Sequence, residues 1–316
     1  MASTTRSWRA KREAELVRWN EDFARIRVEP AAVEVVISRQ PYRKNFWIDG
    51  VKSRARDVLG VVKTVLFQPD DMMIATGAPL GRRHFMNVVL SQRHHEYGAA
   101  LLEYAQVLAQ RNRLLKRLRD GEASGDELSF WDAKLVSLAE IIWGYRASFI
   151  KYLEMELTGR YAEISGDGRL VSARHETKPH DTGRLLEELA AVRDREIILG
   201  QTLRGPHRDD LHFLFDGHMA TEAASRGELR SLTFALKMIE LDYLSGVAGS
   251  KGSPASQNEP SDVLLLLDDI MSELDAGRRE RLVTASQRAQ TIITTTDPED
   301  IPDGLRQEAK VVNFGD

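Results

Sequence analysis

The chain reads as an α/β body interrupted by an all-helical lobe, on three grounds. The first is an apolar run, Val263-Leu264-Leu265-Leu266-Leu267, that leads straight into Asp268 and Asp269. Such a run predicts a strand buried on both faces, as a central parallel strand is. The second is a row of apolar residues at Leu128, Trp131, Leu135, Leu138, Ile142, Tyr145, Phe149 and Tyr152, in steps of 3 and 4. That seam predicts a long helix packed in coiled-coil fashion. The third is a set of short alternating segments in the first 67 residues, which predicts an antiparallel meander.

Composition narrows the function classes. The 316 residues suffice for one large or two ordinary domains. Hydrophobic content is 42% and charged content 29%, as in a folded globular chain. The net charge of −4 carries no overall nucleic-acid signature, although a basic footprint need only cover one face. There is no cysteine, which removes disulfides, thiolate metal sites and Cys nucleophiles and fits a reducing cytoplasm. No apolar stretch approaches the roughly 18 residues that span a bilayer, so no membrane association is expected.

Taken in order, residues 8–20 predict a helix on Trp8, Leu16, Val17 and Trp19. Strands follow at 23–29, 33–38 and 45–49, with Asp49-Gly50 as a turn, and another at 63–67, stopped by Pro69. Residues 82–119 hold one helix, interrupted only by Gly98, with Leu101, Leu108 and Leu115 as its stripe. Gly121 to Gly125 then turns the chain into the heptad helix, giving an antiparallel hairpin. A capped helix from Asp181 or Thr182 to Leu199 is followed by the titratable segment Gly205-Pro206-His207-Arg208-Asp209-Asp210, a strand at 211–215 and an Asp216-Gly217 turn. Ser225 followed by Glu228 is a capping box opening a helix. Residues 246–261 form a polar loop before the apolar strand. A helix at 276–288, a buried-type strand at 291–297 and a short strand at 310–314 end the chain.

Two carboxylates at the carboxyl edge of a sheet suit Mg²⁺ and water activation on a nucleotide phosphate. Taken alone, they are equally a core strand followed by an acidic turn. The order around them decides. A Ser-x-Gly-Glu helix start, a strand ending in Asp-Asp, a Ser272-Glu273-Leu274-Asp275 turn and a strand ending in Thr296-Asp297 succeed one another. This order resembles the signature motif, Walker B strand, D-loop and switch of an ABC-type ATPase head. Pro69-Asp70-Asp71, Gly81-Arg82-Arg83-His84-Phe85-Met86, Leu90-Ser91-Gln92, Gln110 to Lys116 and Gly205 to Leu211 extend the likeness. From about Arg6 onward the chain resembles the RecF family of DNA replication and repair ATPases.

The resemblance implies roles. Asp268 would hold Mg²⁺, and Asp269 stands where many such heads place the water-polarising Glu. Thr296 takes the switch position, and Gln68 or Asp70 the Q-loop position. Ser225, Gly227 and Glu228 would meet the γ-phosphate of ATP held by a second subunit, with Asp275 at that seam. Ser225 and Asp275 also have plain helix-capping explanations. Arg82, Arg83, Arg111 and Lys116 form either a DNA-binding basic face or a solvated one, and His207 and Arg208 either touch DNA or brace the domain. The implied division is 1–80 and 201–316 for the head and 81–200 for the helical lobe.

A head of this type uses Gly-x-x-x-x-Gly-Lys-Ser/Thr to cradle the β- and γ-phosphates. Gly60-Val61-Val62-Lys63-Thr64 lacks the required glycines and leads into a strand, and no other stretch fits. The family's N-terminal strand-loop-helix unit is thus expected to be missing, with the chain beginning just after it, near Arg6-Ser7-Trp8. Three functions compete. The first is an ATP-dependent dimeric clamp on single-stranded, gapped or junction DNA, working with recombination-mediator proteins in repair and the SOS response. The second is an ATP-incompetent DNA- or protein-binding module. The third is an unrelated Mg²⁺-dependent hydrolase, which would have no use for the signature serine or the D-loop.

Overall fold

A computed structural model describes residues 3–5, 10, 12–29, 32–177, 181–246, 261–271, 274–287 and 289–313. The expectations resting on Arg6 to Trp8, on Ser272 and Glu273, on Phe314 and on most of the 246–261 loop fall outside these residues.

The helix expected at 8–20 is not formed among the described residues there. A single 3-10 turn, Glu13–Leu16, stands in its place, and Trp19 is 85% exposed. Strands β1 (Phe23–Val28), β2 (Val33–Ser38), β3 (Arg43–Ile48) and β4 (Val51–Ser53) form the antiparallel meander, in that order. Alternation drives it, with Val33, Val35 and Ile37 buried along β2. Asp49 and Gly50, both at positive φ, make the tight turn that joins β3 to β4. Short α1 (Ala55–Val58) leads to β5 (Lys63–Phe67), and short α2 (Met73–Thr76) follows it.

The single helix expected over 82–119 is two, α3 (Pro79–Arg93) and α4 (His95–Arg119), with the break at His94, whose backbone is extended. The hairpin partner α5 (Glu127–Ser165) is longer than its heptad seam and ends at Gly166, a left-handed C-terminal cap. Helices α4 and α5 run antiparallel. Arg111 meets Asp132, Glu103 meets Lys134, and Tyr97 meets Arg146. The inner stripe of α4 is Tyr97, Ala100, Tyr104, Val107, Arg111 and Leu114. Of the three expected leucines only Leu115 is fully buried, because Leu101 and Leu108 turn toward a cavity instead.

The chain continues through β6 (Val171–Glu176), α6 (Leu185–Ala191), α7 (Arg193–Leu199), β7 (Asp210–Phe215), β8 (His218–Met219) and α8 (Ala220–Ala223). Strands β6, β7 and β8 pair antiparallel, with Asp216-Gly217 as the expected hairpin turn. The last elements are α9 (Arg226–Ser245), β9 (Ser261–Asp268), α10 (Ala276–Ser286), β10 (Ala289–Thr294) and α11 (Asp303–Glu308). No strand forms over 310–313.

A parallel three-stranded sheet in the order β10-β9-β5 places the apolar run in its centre. Val263, Leu265 and Leu267 are buried on one side. Helix α9 packs on β5 and β9 and also on α5. Fourteen of its 20 residues are buried, so it is a core helix enclosed on nearly every side. The other side of β9 departs from expectation. Leu264 and Leu266, with Leu66 of β5, face a cavity of about 760 Å³ that Leu101 and Leu108 also line. Strand β10 is an exposed edge, not a buried strand, with Ile292 51% exposed. The outer edge of β5 is met at Thr64. Gln92 Oε1 accepts from the Thr64 amide at 2.7 Å, and Gln92 Nε2 donates to the Thr64 carbonyl at 3.0 Å.

Candidate functional site

The parallel register brings three polar groups to one edge of the sheet. Phe67 pairs with Leu267, so Gln68 and Asp268 leave adjacent strands side by side, and Thr294 pairs with Asp268. Thr294 Oγ1 lies 2.8 Å from Asp268 Oδ1 and donates to it. Asp268 is half-buried, whereas Asp269 is exposed and sits at φ 53° with its amide donating to the Thr294 carbonyl at 3.1 Å. A left-handed aspartate is uncommon, and here it turns the second carboxylate away from the strand direction. Thr296, the expected switch residue, lies exposed two positions past the end of β10. The hydroxyl that meets Asp268 belongs to Thr294, which sequence reasoning missed within a run of three threonines.

Gln68 and Asp70 separate clearly. Asp70 is exposed in the 3-10 turn Pro69–Met72. The Gln68 amide donates to Asp71 Oδ2 at 2.9 Å, while Gln68 Oε1 is buried with no hydrogen-bond partner among the described residues. A buried acceptor left open at a sheet edge can take a donor from water or from a bound ligand. Behind it, burial raises the Asp71 carboxyl above its usual range, and Lys237 of α9 opposes that rise. Lys237 Nζ itself pairs with Glu240 at 2.5 Å in the core.

Ser225 caps α9 as expected. Its Oγ accepts from the Glu228 amide at 3.3 Å, and Glu228 Oε2 accepts from the Ser225 amide at 2.7 Å. The Ser225 amide and then the Arg169 guanidinium pull the Glu228 carboxyl down to about 2. Arg169 also binds Asp216, so it ties the β7–β8 turn to the cap. Ser225 and Gly227 remain exposed at the helix end, where backbone N–H groups favour an anion. Asp275, also exposed, caps α10 by accepting from the Arg278 amide at 2.9 Å.

The arginines expected on a basic face divide between interior and surface. Arg82 is buried and donates to both oxygens of Asp210, at 2.7 and 2.9 Å. Arg111 is fully buried, 2.7 Å from Asp132 and 2.7 Å from Glu196, and locks α4, α5 and α7 together. Arg83 is half-buried and donates to the Asp209 carbonyl at 2.6 Å. Lys116 alone of the four is exposed, alongside Arg113 and Arg117. His207 and Arg208 are half-buried and brace the segment. Arg208 donates to the Thr202 carbonyl, and His207 lies between that carbonyl and the Tyr104 hydroxyl at 3.1 and 2.8 Å. Burial lowers the His207 imidazole to about 4.

Beneath that segment lies a network the sequence did not announce. Asp209 is fully buried and accepts from Arg146 at 2.5 Å and Trp143 Nε1 at 2.9 Å, with His175 at 3.2 Å. Arg146 also donates to the Pro206 carbonyl and Asn87. The one available signal was that Arg146 falls on the inner face of α5, between Ile142 and Phe149. Among the described residues no group of three acidic or histidine side chains forms a ready-made metal cage.

A parallel sheet whose carboxyl edge carries Gln68, Asp268 and Thr294, a serine-capped helix under it and an inserted helical hairpin together define an ABC-type ATPase head. No protein-family model matches the chain. Curated relatives do. It is 34% identical to the DNA replication and repair protein RecF of Herpetosiphon aurantiacus, over 96% of this chain and 84% of that protein. It is 33% identical to the RecF of Pelotomaculum thermopropionicum, over 100% of this chain and 87% of that one. A solved structure of the recombination mediator protein RecF-ATPrS in the RecFOR pathway superposes with a TM-score of 0.81 at 26% identity, covering 95% of this chain and 82% of that chain. The chain belongs to the RecF family of DNA replication and repair proteins.

Proposed function

We propose that this chain is a RecF-type DNA replication and repair protein whose head takes ATP with Mg²⁺ and closes on a second head around DNA. The observation that carries the reading is the row of Gln68, Asp268 and Thr294 at one sheet edge, where the buried Gln68 Oε1 has no partner among the described residues. Relatives support it, since one solved neighbour is RecF-ATP and another RecF-ATPrS. In this reading Asp268 and Gln68 would hold Mg²⁺, which would supply charge neutralisation at the nucleotide phosphates. Asp269 orients the attacking water, with Thr294 rather than Thr296 fixing the carboxylate beside it. Ser225, Gly227 and Glu228 present the anion-favouring end of α9 to nucleotide on the partner head, and Asp275 lies at the seam.

The same reading keeps 81–200 as a helical lobe between two head segments, 1–80 and 201–316. DNA contact falls to the surface cations of the lobe, Lys116 with Arg113 and Arg117, while Arg82, Arg111, His207 and Arg208 act as braces. Single-stranded, gapped or junction DNA, recombination-mediator proteins, the cytoplasm and the SOS response complete the proposed setting. No helix of the described residues is long and apolar enough to cross a membrane.

A second reading rests on one fact of sequence: the 316 residues contain no Gly-x-x-x-x-Gly-Lys-Ser/Thr stretch. An ATP-independent DNA- or protein-binding module would need none. Binding to gapped DNA, titrated against salt with and without ATP, separates the two. ATP-strengthened, salt-sensitive binding supports the clamp, and salt-sensitive binding indifferent to ATP supports the module. No binding at low salt would overturn the clamp and the DNA-binding form of the module.

A further inference from the structure

Arg278, in the first turn of α10, reaches two residues that lie 47 and 51 positions before it in the sequence. Its Nη1 binds the Asp275 carboxylate. Its Nη2 donates to the Gly227 carbonyl at 3.2 Å and to Ser231 Oγ at 2.5 Å, in the first turns of α9. Ser231 Oγ in turn donates to the same Gly227 carbonyl at 3.2 Å, closing a small ring on the helix end. The Arg278 side chain is only 14% exposed, and its Nε has no partner among the described residues. The next residue, Arg279, faces the other way. It donates to the Met271 carbonyl at 2.8 Å and lies 3.5 Å from Asp300. The start of α10 is thus clamped between α9 on one side and the exit of β9 on the other.

This placement is not explained by helix stability. A cation beside a helix N-terminus opposes the macrodipole and weakens the helix. What offsets it is Asp275, whose carboxylate neutralises the guanidinium and fixes its fork. We infer that Arg278 is a positioning residue that makes the conformation of the Ser225–Gly227 end of α9 depend on Asp275 of the same head. An Asp275 carboxylate drawn to a second head would release one arm of the fork. The charge of Arg278 would then add to the anion-facing end of α9. The functional consequence rests on the clamp reading above, whereas the mechanical link does not.

The test uses hydrogen exchange on the full 316-residue chain, read at the Glu228 to Ser231 amides. D275N and R278A should each speed exchange there several-fold, with the melting temperature nearly unchanged. The double variant D275N/R278A should exchange no faster than R278A alone, because both act through one link. R278K keeps the charge but gives up the two-armed fork, and it should behave like R278A. An unchanged exchange rate in D275N, additive effects in the double variant, or wild-type behaviour of R278K would each overturn the link. A parallel arm measures ATP-driven dimerisation by sedimentation. If the wild type does not dimerise, the clamp reading fails while the exchange result still decides the link. If it does, R278A should weaken the dimer several-fold, and an unweakened dimer overturns the functional part.

Discussion

Thr294 Oγ1 donates a 2.8 Å hydrogen bond to Asp268 Oδ1 across the parallel pair of β10 and β9. Strand β10 is an exposed edge, and this bond ties its last residue to the carboxylate at the end of β9. T294V is isosteric and removes only the donor. It should lower stability by about 0.5–1.5 kcal/mol, as single hydrogen bonds do, with T294S restoring most of it. Urea denaturation checks this, and a T296V control should be neutral because Thr296 lies outside the sheet.

Arg146 and Asp209 form a buried pair, with the guanidinium 1% exposed and the carboxylate 0%. Removing one partner leaves the other charged in the core, at a cost of about 3–5 kcal/mol. R146M should therefore be severely destabilised in chemical denaturation. The double variant R146M/D209L should recover part of the loss.

The His207 imidazole titrates near 4 in the folded chain, against an ordinary value of about 6.5 in the unfolded one. Between those values the unfolded chain binds a proton that the folded chain refuses. The full contribution is therefore present above about pH 6.5 and is lost as pH falls toward 4, by up to about 3 kcal/mol. Melting temperatures from pH 7 to pH 4.5 should fall more steeply in the wild type than in H207Q.

Charge reversal separates the two kinds of arginine and lysine in the helical lobe. R111E places a third carboxylate beside Asp132 and Glu196 and should prevent folding. K116E should leave the melting temperature within error. It should also weaken DNA binding uniformly and reduce the salt slope by about one. A K116E chain with unaltered affinity and slope would remove this face from the proposed DNA contact.

On the second, ATP-independent reading, equilibrium binding of a fluorescent ATP analogue to the 316-residue chain should show little saturable affinity. The amide cradle and lysine that grip the β- and γ-phosphates have no counterpart in these residues. A micromolar dissociation constant would overturn this expectation.

Much of the architecture was legible because its causes are local. The limits of β5, the Ser225 capping box, the Asp216-Gly217 turn and the apolar run of β9 follow from periodicity and turn chemistry within a few residues. The antiparallel α4–α5 hairpin followed in the same way from a sustained heptad and a short polar turn. Where local signals were thin, the reading failed. An extended backbone at His94 splits a helix that no proline marks, and among the described residues of 8–20 one 3-10 turn, Glu13–Leu16, stands where a helix was expected.

Burial of charge was settled elsewhere. Arg82, Arg111 and Lys116 are all cations on amphipathic helices, and no local pattern distinguishes them. Asp210, Asp132 and Glu196 arrive from distant segments to pair the first two, and only their arrival makes an interior position tolerable. The carboxyl edge shows the same division. The residue order made Asp268 and Asp269 the end of a strand. Which threonine stands beside Asp268 depended on the register of β10 against β9, a long-range pairing that put Thr294 there and left Thr296 outside.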